Sequence, residues 1–114
     1  MTDLQRTVAE MPLGDFAQAL ASEKPVPGGG AAAGVAAALG ASLTAMVVRL
    51  SLDRPKYAEH MALHQEALAA SDTARVRFLE LAEADAAAYA AYRTARDLPR
   101  ETEVQQETRA AAIR

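Results

Sequence analysis

The sequence has no cysteine. That excludes disulfides, thiolate metal sites and a cysteine nucleophile, and it fits a cytoplasmic chain. Aromatic residues make up only 4% of it, too few for a base-stacking platform. The net charge of -3 offers no basic surface for nucleic acid. Met1-Thr2-Asp3-Leu4 lacks the charged and apolar regions of a signal peptide. No stretch alternates as a strand does, so the sequence predicts an all-α chain, an up-and-down helical bundle or a piece of one.

What is present is apolar. Of 114 residues, 51% are hydrophobic and 24% charged, enough for a packed core in a single domain over residues 1–114. The chain is organised around Pro25-Val26-Pro27-Gly28-Gly29-Gly30 and the small-residue run Ala31 to Leu52. The prolines fix an extended approach. The glycines allow positive φ and admit another atom where a side chain would block it. Behind them a helix is predicted from about Gly30 to Leu52, ended by Asp53-Arg54-Pro55. It is apolar nearly all round and is expected to be buried on most sides. Gly30, Gly34, Ala38, Ala41 and Ala45 recur at steps of three or four, a face on which another helix can pack closely.

Residues 31–48 are apolar enough to raise a membrane question. The segment reads as a buried helix, with no membrane partner: it is Ala/Gly-rich, Ser42 and Thr44 interrupt it, and no basic cluster flanks its start. Two readings of the glycine turn stay open. One is a tight turn into a core helix. The other is a ligand site, where free N–H groups at the helix start meet an anion or a carbonyl. No Gly-Lys-Ser/Thr follows the glycines and no strand precedes them, so neither a P-loop nor a dinucleotide fingerprint is present.

In chain order, residues 1–12 read as an irregular lead or frayed turn. A first helix is expected from Leu13 to Ser22, with Phe16 and Leu20 facing the core. A long helix follows from about Lys56 to Asp97; Ser71-Asp72-Thr73 could bend it or cap a restart, but it is read as one helix. Leu98-Pro99 ends it. Thr102 and Gln105 form a capping box for a last helix that carries Val104 and Ile113.

Asp85 is the second informative residue. Phe78, Leu81, Asp85, Tyr89 and Tyr92 fall on one helix face, so the acid sits in an apolar and aromatic stripe. Desolvation there disfavours the charged carboxylate, and an acid that keeps its proton near neutral pH can serve as a general acid or base. A boundary Asp that reaches water or pairs with an Arg is the other reading. His60 and His64 have metal-ligand spacing but no His-Glu-x-x-His pattern, so a solvated pair is favoured and no metal is expected. Arg49 is read as complementing the helix C-terminal dipole or binding an anionic substrate. Arg75 and Arg77, beside Glu80 and Glu83, read as a solvated face.

Four stretches together resemble a known family: Phe16-Ala17-Gln18-Ala19-Leu20-Ala21-Ser22, the Pro25–Gly30 turn with its Ala-rich helix, Asp85-Ala86-Ala87-Ala88-Tyr89, and Leu98-Pro99-Arg100-Glu101-Thr102. The chain resembles the cyclodeaminase module of formiminotransferase-cyclodeaminase and its free-standing bacterial relatives, methenyltetrahydrofolate cyclohydrolases. The resemblance implies an all-α folate enzyme working as a homodimer, with a tetrahydrofolate derivative as substrate and no covalently bound cofactor. It implies that Asp85 is catalytic and that Pro27, Gly28, Gly29, Gly30 and Ala31 border the folate. It also implies that this chain corresponds to the N-terminal part of a longer module. Two departures stand out. Ala31 replaces the serine usual after the glycines, and Asp53-Arg54-Pro55 replaces a glycine-lysine turn. A non-catalytic helical assembly module on the same fold is the alternative.

Overall fold

The computed structural model describes residues 6–113. The readings made on Met1–Leu4, and the first five residues of the lead, lie outside them. Among the described residues there is no strand. The chain forms four helices: α1 (Leu13–Ala21), α2 (Gly29–Leu52), α3 (Met61–Arg96) and α4 (Glu103–Ile113). Short 3₁₀ turns at Val8–Glu10 and Pro55–His60 precede α1 and α3.

The frame is an antiparallel pair. Gly30 meets Asp85, Gly34 meets Ala82, and Arg49 meets Asp72, so residue numbers rise on α2 as they fall on α3. Small residues make this closeness possible. Ala31, Ala38, Ala45 and Val48 are buried on α2, and Ser71, Ala82, Ala86 and Ala95 on α3. A Cβ on Gly34 would lie 2.9 Å from Ala82 Cβ and 3.0 Å from the Phe78 carbonyl oxygen. The small-residue face thus packs as its spacing predicts.

The opposite face of α2 does not. Leu39, Leu43 and Leu50 are 57%, 59% and 61% exposed, and Met46 and Val47 stand beside them in solvent. The expectation of a helix buried on most sides is therefore corrected. The apolar residues form two opposed faces, and α3 covers only the one lined by small side chains. By length and composition alone α2 could cross a membrane. The radius of gyration is 20.2 Å, against about 13 Å for a compact chain of this length. Accessible surface is 8251 Å², against about 6,000 Å² for a compact monomer of this mass.

α3 runs unbroken through Ser71-Asp72-Thr73, the single long helix that the sequence predicts, and the Asp72 carboxylate turns to Arg49 instead of capping backbone. Arg49 stands in the last turn of α2, where a cation complements the helix dipole as read, and it also ties the end of α2 to α3 through a two-pronged contact with Asp72 rather than standing free for a substrate. The pair is exposed, so Asp72→Ala should cost no more than about 1 kcal/mol, read by urea denaturation. Arg77 pairs with Glu80 at 3.1 Å on the solvated face, as read.

The described end of the lead is ordered rather than frayed. Thr7 and Glu10 form a reciprocal cap, and the Thr7 hydroxyl bond holds the Glu10 carboxyl below its ordinary pKa. The Val8 N–H donates to Glu83 Oε2 at 2.7 Å, which pins this turn to α3. The predicted Thr102–Gln105 box forms: Gln105 N–H donates to Thr102 Oγ1 at 3.1 Å, and Thr102 N–H to Gln105 Oε1 at 3.0 Å.

Candidate functional site

The two stretches singled out in the sequence meet. Gly28 caps α2 with an extended backbone, and the first turn of the helix brings Gly30 against α3. A Cβ built on Gly30 would collide with all three atoms of the Asp85 carboxyl group. Only glycine leaves that space, so residue 30 sets where the acid sits. The need for glycine here is steric: no glycine among the described residues has positive φ, which corrects that part of the expectation for the turn. A Cβ on Gly29 would meet nothing within 4 Å.

Gly30, Gly34, Phe78, Leu81 and Asp85 line an open groove of about 570 Å³ between the two helices. Its volume lies in the range of small-molecule sites. The walls are mostly apolar, and Asp85 supplies the carboxylate. The first bond inside α2 runs from Ala32 N–H to the Gly28 carbonyl at 3.1 Å. The N–H groups of Gly29, Gly30 and Ala31 precede it, at the positive end of a 24-residue helix.

Among the described residues Asp85 forms no ion pair and no side-chain hydrogen bond, so no arginine holds it. Its stripe is more open than expected. Asp85 is exposed in the single chain, as are Leu81, Tyr89 and Tyr92, because none of the described helices covers this side of the α2–α3 pair. Of the other residues assigned to the site, Gly29 and Gly30 are exposed and Gly28 half-buried. Pro27 is buried, and Ala31 has no accessible surface, so its methyl group packs inside rather than facing the groove.

The histidines stand elsewhere, at the start of α3. Their rings are 6.3 Å apart, and His64 also meets Tyr57 edge-on. No group of three or more metal-ligating side chains comes together among the described residues.

The described residues thus form an all-α hairpin of helices, with a lone carboxylate against the glycine start of its small-residue helix. Residues 12–114 match the formiminotransferase-cyclodeaminase family, and the chain belongs to it. It is 37% identical over 98 residues to a methenyltetrahydrofolate cyclohydrolase of Methylorubrum extorquens, covering 86% of this chain and 47% of that protein. It is 30% identical over 109 residues to the formimidoyltransferase-cyclodeaminase of Sus scrofa, covering 96% of this chain and 20% of that protein. The corresponding protein of Gallus gallus is 30% identical over 102 residues, covering 90% of this chain and 19% of its own length. The chain thus spans about half the length of the bacterial relative and about a fifth of the animal ones.

Proposed function

We propose that this chain carries the reactive acid and part of the substrate groove of a folate one-carbon enzyme, of the formimidoyltetrahydrofolate cyclodeaminase or methenyltetrahydrofolate cyclohydrolase type. The observation that carries the reading is the Asp85 carboxyl seated on Gly30, unpaired, in an open groove at the start of α2. In the cyclodeaminase reaction the second folate nitrogen attacks the formimino carbon, the bond from that carbon to the terminal nitrogen breaks, and ammonia leaves. A carboxylic acid at the groove would protonate the departing nitrogen. In the cyclohydrolase reaction water adds to the methenyl carbon and the ring opens. The carboxylate would then take the proton from water. A bound folate would itself remove water from Asp85, supplying the desolvation that the single chain lacks. The tetrahydrofolate derivative is a substrate, and no covalently bound cofactor enters either route. The test is absorbance-monitored consumption of methenyltetrahydrofolate by the purified chain, with a folate-binding titration beside it. Binding without turnover would favour a non-catalytic assembly module, and no binding would overturn the folate reading.

The exposed stripe on α2 supports a second part of the proposal, self-association into a homodimer. Leu39, Leu43, Met46 and Leu50 follow steps of four, three and four, the spacing of a helix–helix seam. The surface in excess of a compact monomer is more than the roughly 800 Å² per partner of a standard interface. Light scattering at micromolar concentration should give a dimer mass, and Leu43→Glu should shift it to the monomer. A monomeric wild-type chain would overturn the proposal.

A further inference from the structure

We infer that the α3 face from Phe78 to Arg96 is one ligand track, and that its far end, a cluster of Arg96, Arg100 and Arg109, holds the carboxylate end of an elongated substrate. This rests on the folate reading above. Phe78, Leu81, Asp85, Tyr89, Tyr92 and Arg96 are separated by three, four, four, three and four residues, so all lie along one side of α3. Beyond Asp85 the helix runs on past the start of α2, and this side stays open. Tyr89 and Tyr92 are both exposed there, with ring centroids 6.1 Å apart and planes tilted by 31°. They offer an aromatic surface between the acid and the helix end.

At that end α4 folds back on α3. Arg96, Asp97, Leu98, Arg100 and Arg109 line a cavity of about 450 Å³. Arg109 is held in place: its Nε–H donates to the Arg96 carbonyl at 2.9 Å. Arg100 is anchored through its backbone, whose carbonyl accepts from Gln106 Nε2 at 3.2 Å. Neither guanidinium meets a carboxylate among the described residues, and Arg96 is paired only with its exposed neighbour Asp97, at 3.5 Å. Three arginines and one aspartate thus line this cavity, and Arg100 and Arg109 are left without a carboxylate partner among the described residues, so an anion placed here would meet two open guanidinium groups. Guanidinium groups match carboxylates through paired hydrogen bonds.

The order of parts agrees. Asp85 and Arg96 are eleven positions apart, a rise of roughly 16 Å along the helix, and their side chains can reach toward one another over part of it. An extended folate has the same order of parts: a reactive ring system, a benzoyl ring, and glutamate carboxylates. The track presents the acid, then the tyrosines, then the arginines.

The experiment compares binding of tetrahydrofolate with that of tetrahydropteroate, which lacks the glutamate, on the full chain. Wild type should bind tetrahydrofolate about tenfold or more tightly, the scale of a charge-assisted pair, and only that advantage should fade with salt. Arg100→Gln should reduce the advantage, and Arg100→Gln with Arg109→Gln should abolish it, while tetrahydropteroate affinity and helicity stay unchanged. Equal wild-type affinity for the two ligands, or equal loss of both in Arg100→Gln, would overturn the inference. A second measurement separates it from the folate reading: glutarate and the neutral glutaramide are titrated against the arginine Nε–H NMR signals. If neither pterin ligand binds but glutarate alone moves Arg96 and Arg109, the folate reading fails and the carboxylate site stands. If glutarate moves neither signal, the site fails as well.

Discussion

Asp85→Asn should lower turnover of methenyltetrahydrofolate by on the order of a hundredfold or more, while folate still binds and the melting temperature stays where it is. The side chain keeps its size but loses its charge and its ability to exchange a proton. The structure makes the stability half of this expectation definite. Asp85 has no ion-pair partner among the described residues, so its replacement strands no buried cation. It is exposed in the single chain, so the substitution relieves little desolvation. Gly30→Ala provides an independent route to the same loss. It leaves the carboxyl chemistry intact and adds one methyl group where the carboxyl group now sits, so the acid must move. If Asp85 acts on substrate, Gly30→Ala should also cut turnover, although alanine is the better helix former. The assay is absorbance decay of the methenyl compound, with thermal melting and a folate titration on each variant. Unchanged turnover in Asp85→Asn would sink the catalytic assignment. A lowered melting point with normal turnover would show that the residue is structural after all.

Much of the fold was legible because helix ends are marked by residues with few alternatives. Pro12 stands before α1, Asp53-Arg54-Pro55 ends α2, Leu98-Pro99 follows α3, and Thr102 with Gln105 opens α4. The packing face of α2 was legible too, since only a run of Gly and Ala at steps of three and four permits so close a neighbour. Register between helices was not. That Gly30 faces Asp85, and that Arg49 reaches Asp72, depends on how two helices slide past one another, and no local pattern records that offset. The Val8–Glu83 bond escaped for the same reason, although Thr7 and Glu10 carried a capping signal. The stripe around Asp85 misled in a more instructive way. Apolar residues on one helix face imply that something covers them, but not that this chain does. Tyr89 and Tyr92, like Leu39 and Leu43 on α2, stay exposed in the single chain.

Gly34→Val should be the most damaging substitution for the fold itself, lowering stability by about 3 kcal/mol. Gly34 sits against the backbone of α3, and the atoms its Cβ would meet are Ala82 Cβ, Ala82 Cα and the Phe78 carbonyl oxygen. Two of these belong to helix backbone and the third is a methyl group fixed to it. None can swing aside, so relief requires the helices to separate. Separation would loosen the contacts of Ala38, Ala45 and Ala82 along the same face, which are tight only because every side chain there is small. Gly34→Ala should show the same effect at smaller size, with a loss of roughly 1–2 kcal/mol despite the better helix propensity of alanine. Gly40 supplies the contrast. It lies in the same helix, but a Cβ there meets nothing within 4 Å. Gly40→Ala should therefore stabilise by up to about 1 kcal/mol, because propensity acts alone. Thermal melting of the three variants reads this directly: the midpoint should fall for both changes at Gly34 and rise for the change at Gly40. If Gly34→Ala and Gly40→Ala raise the midpoint equally, helix propensity rather than close packing governs α2, and the antiparallel pair that carries Gly30 to Asp85 is looser than described.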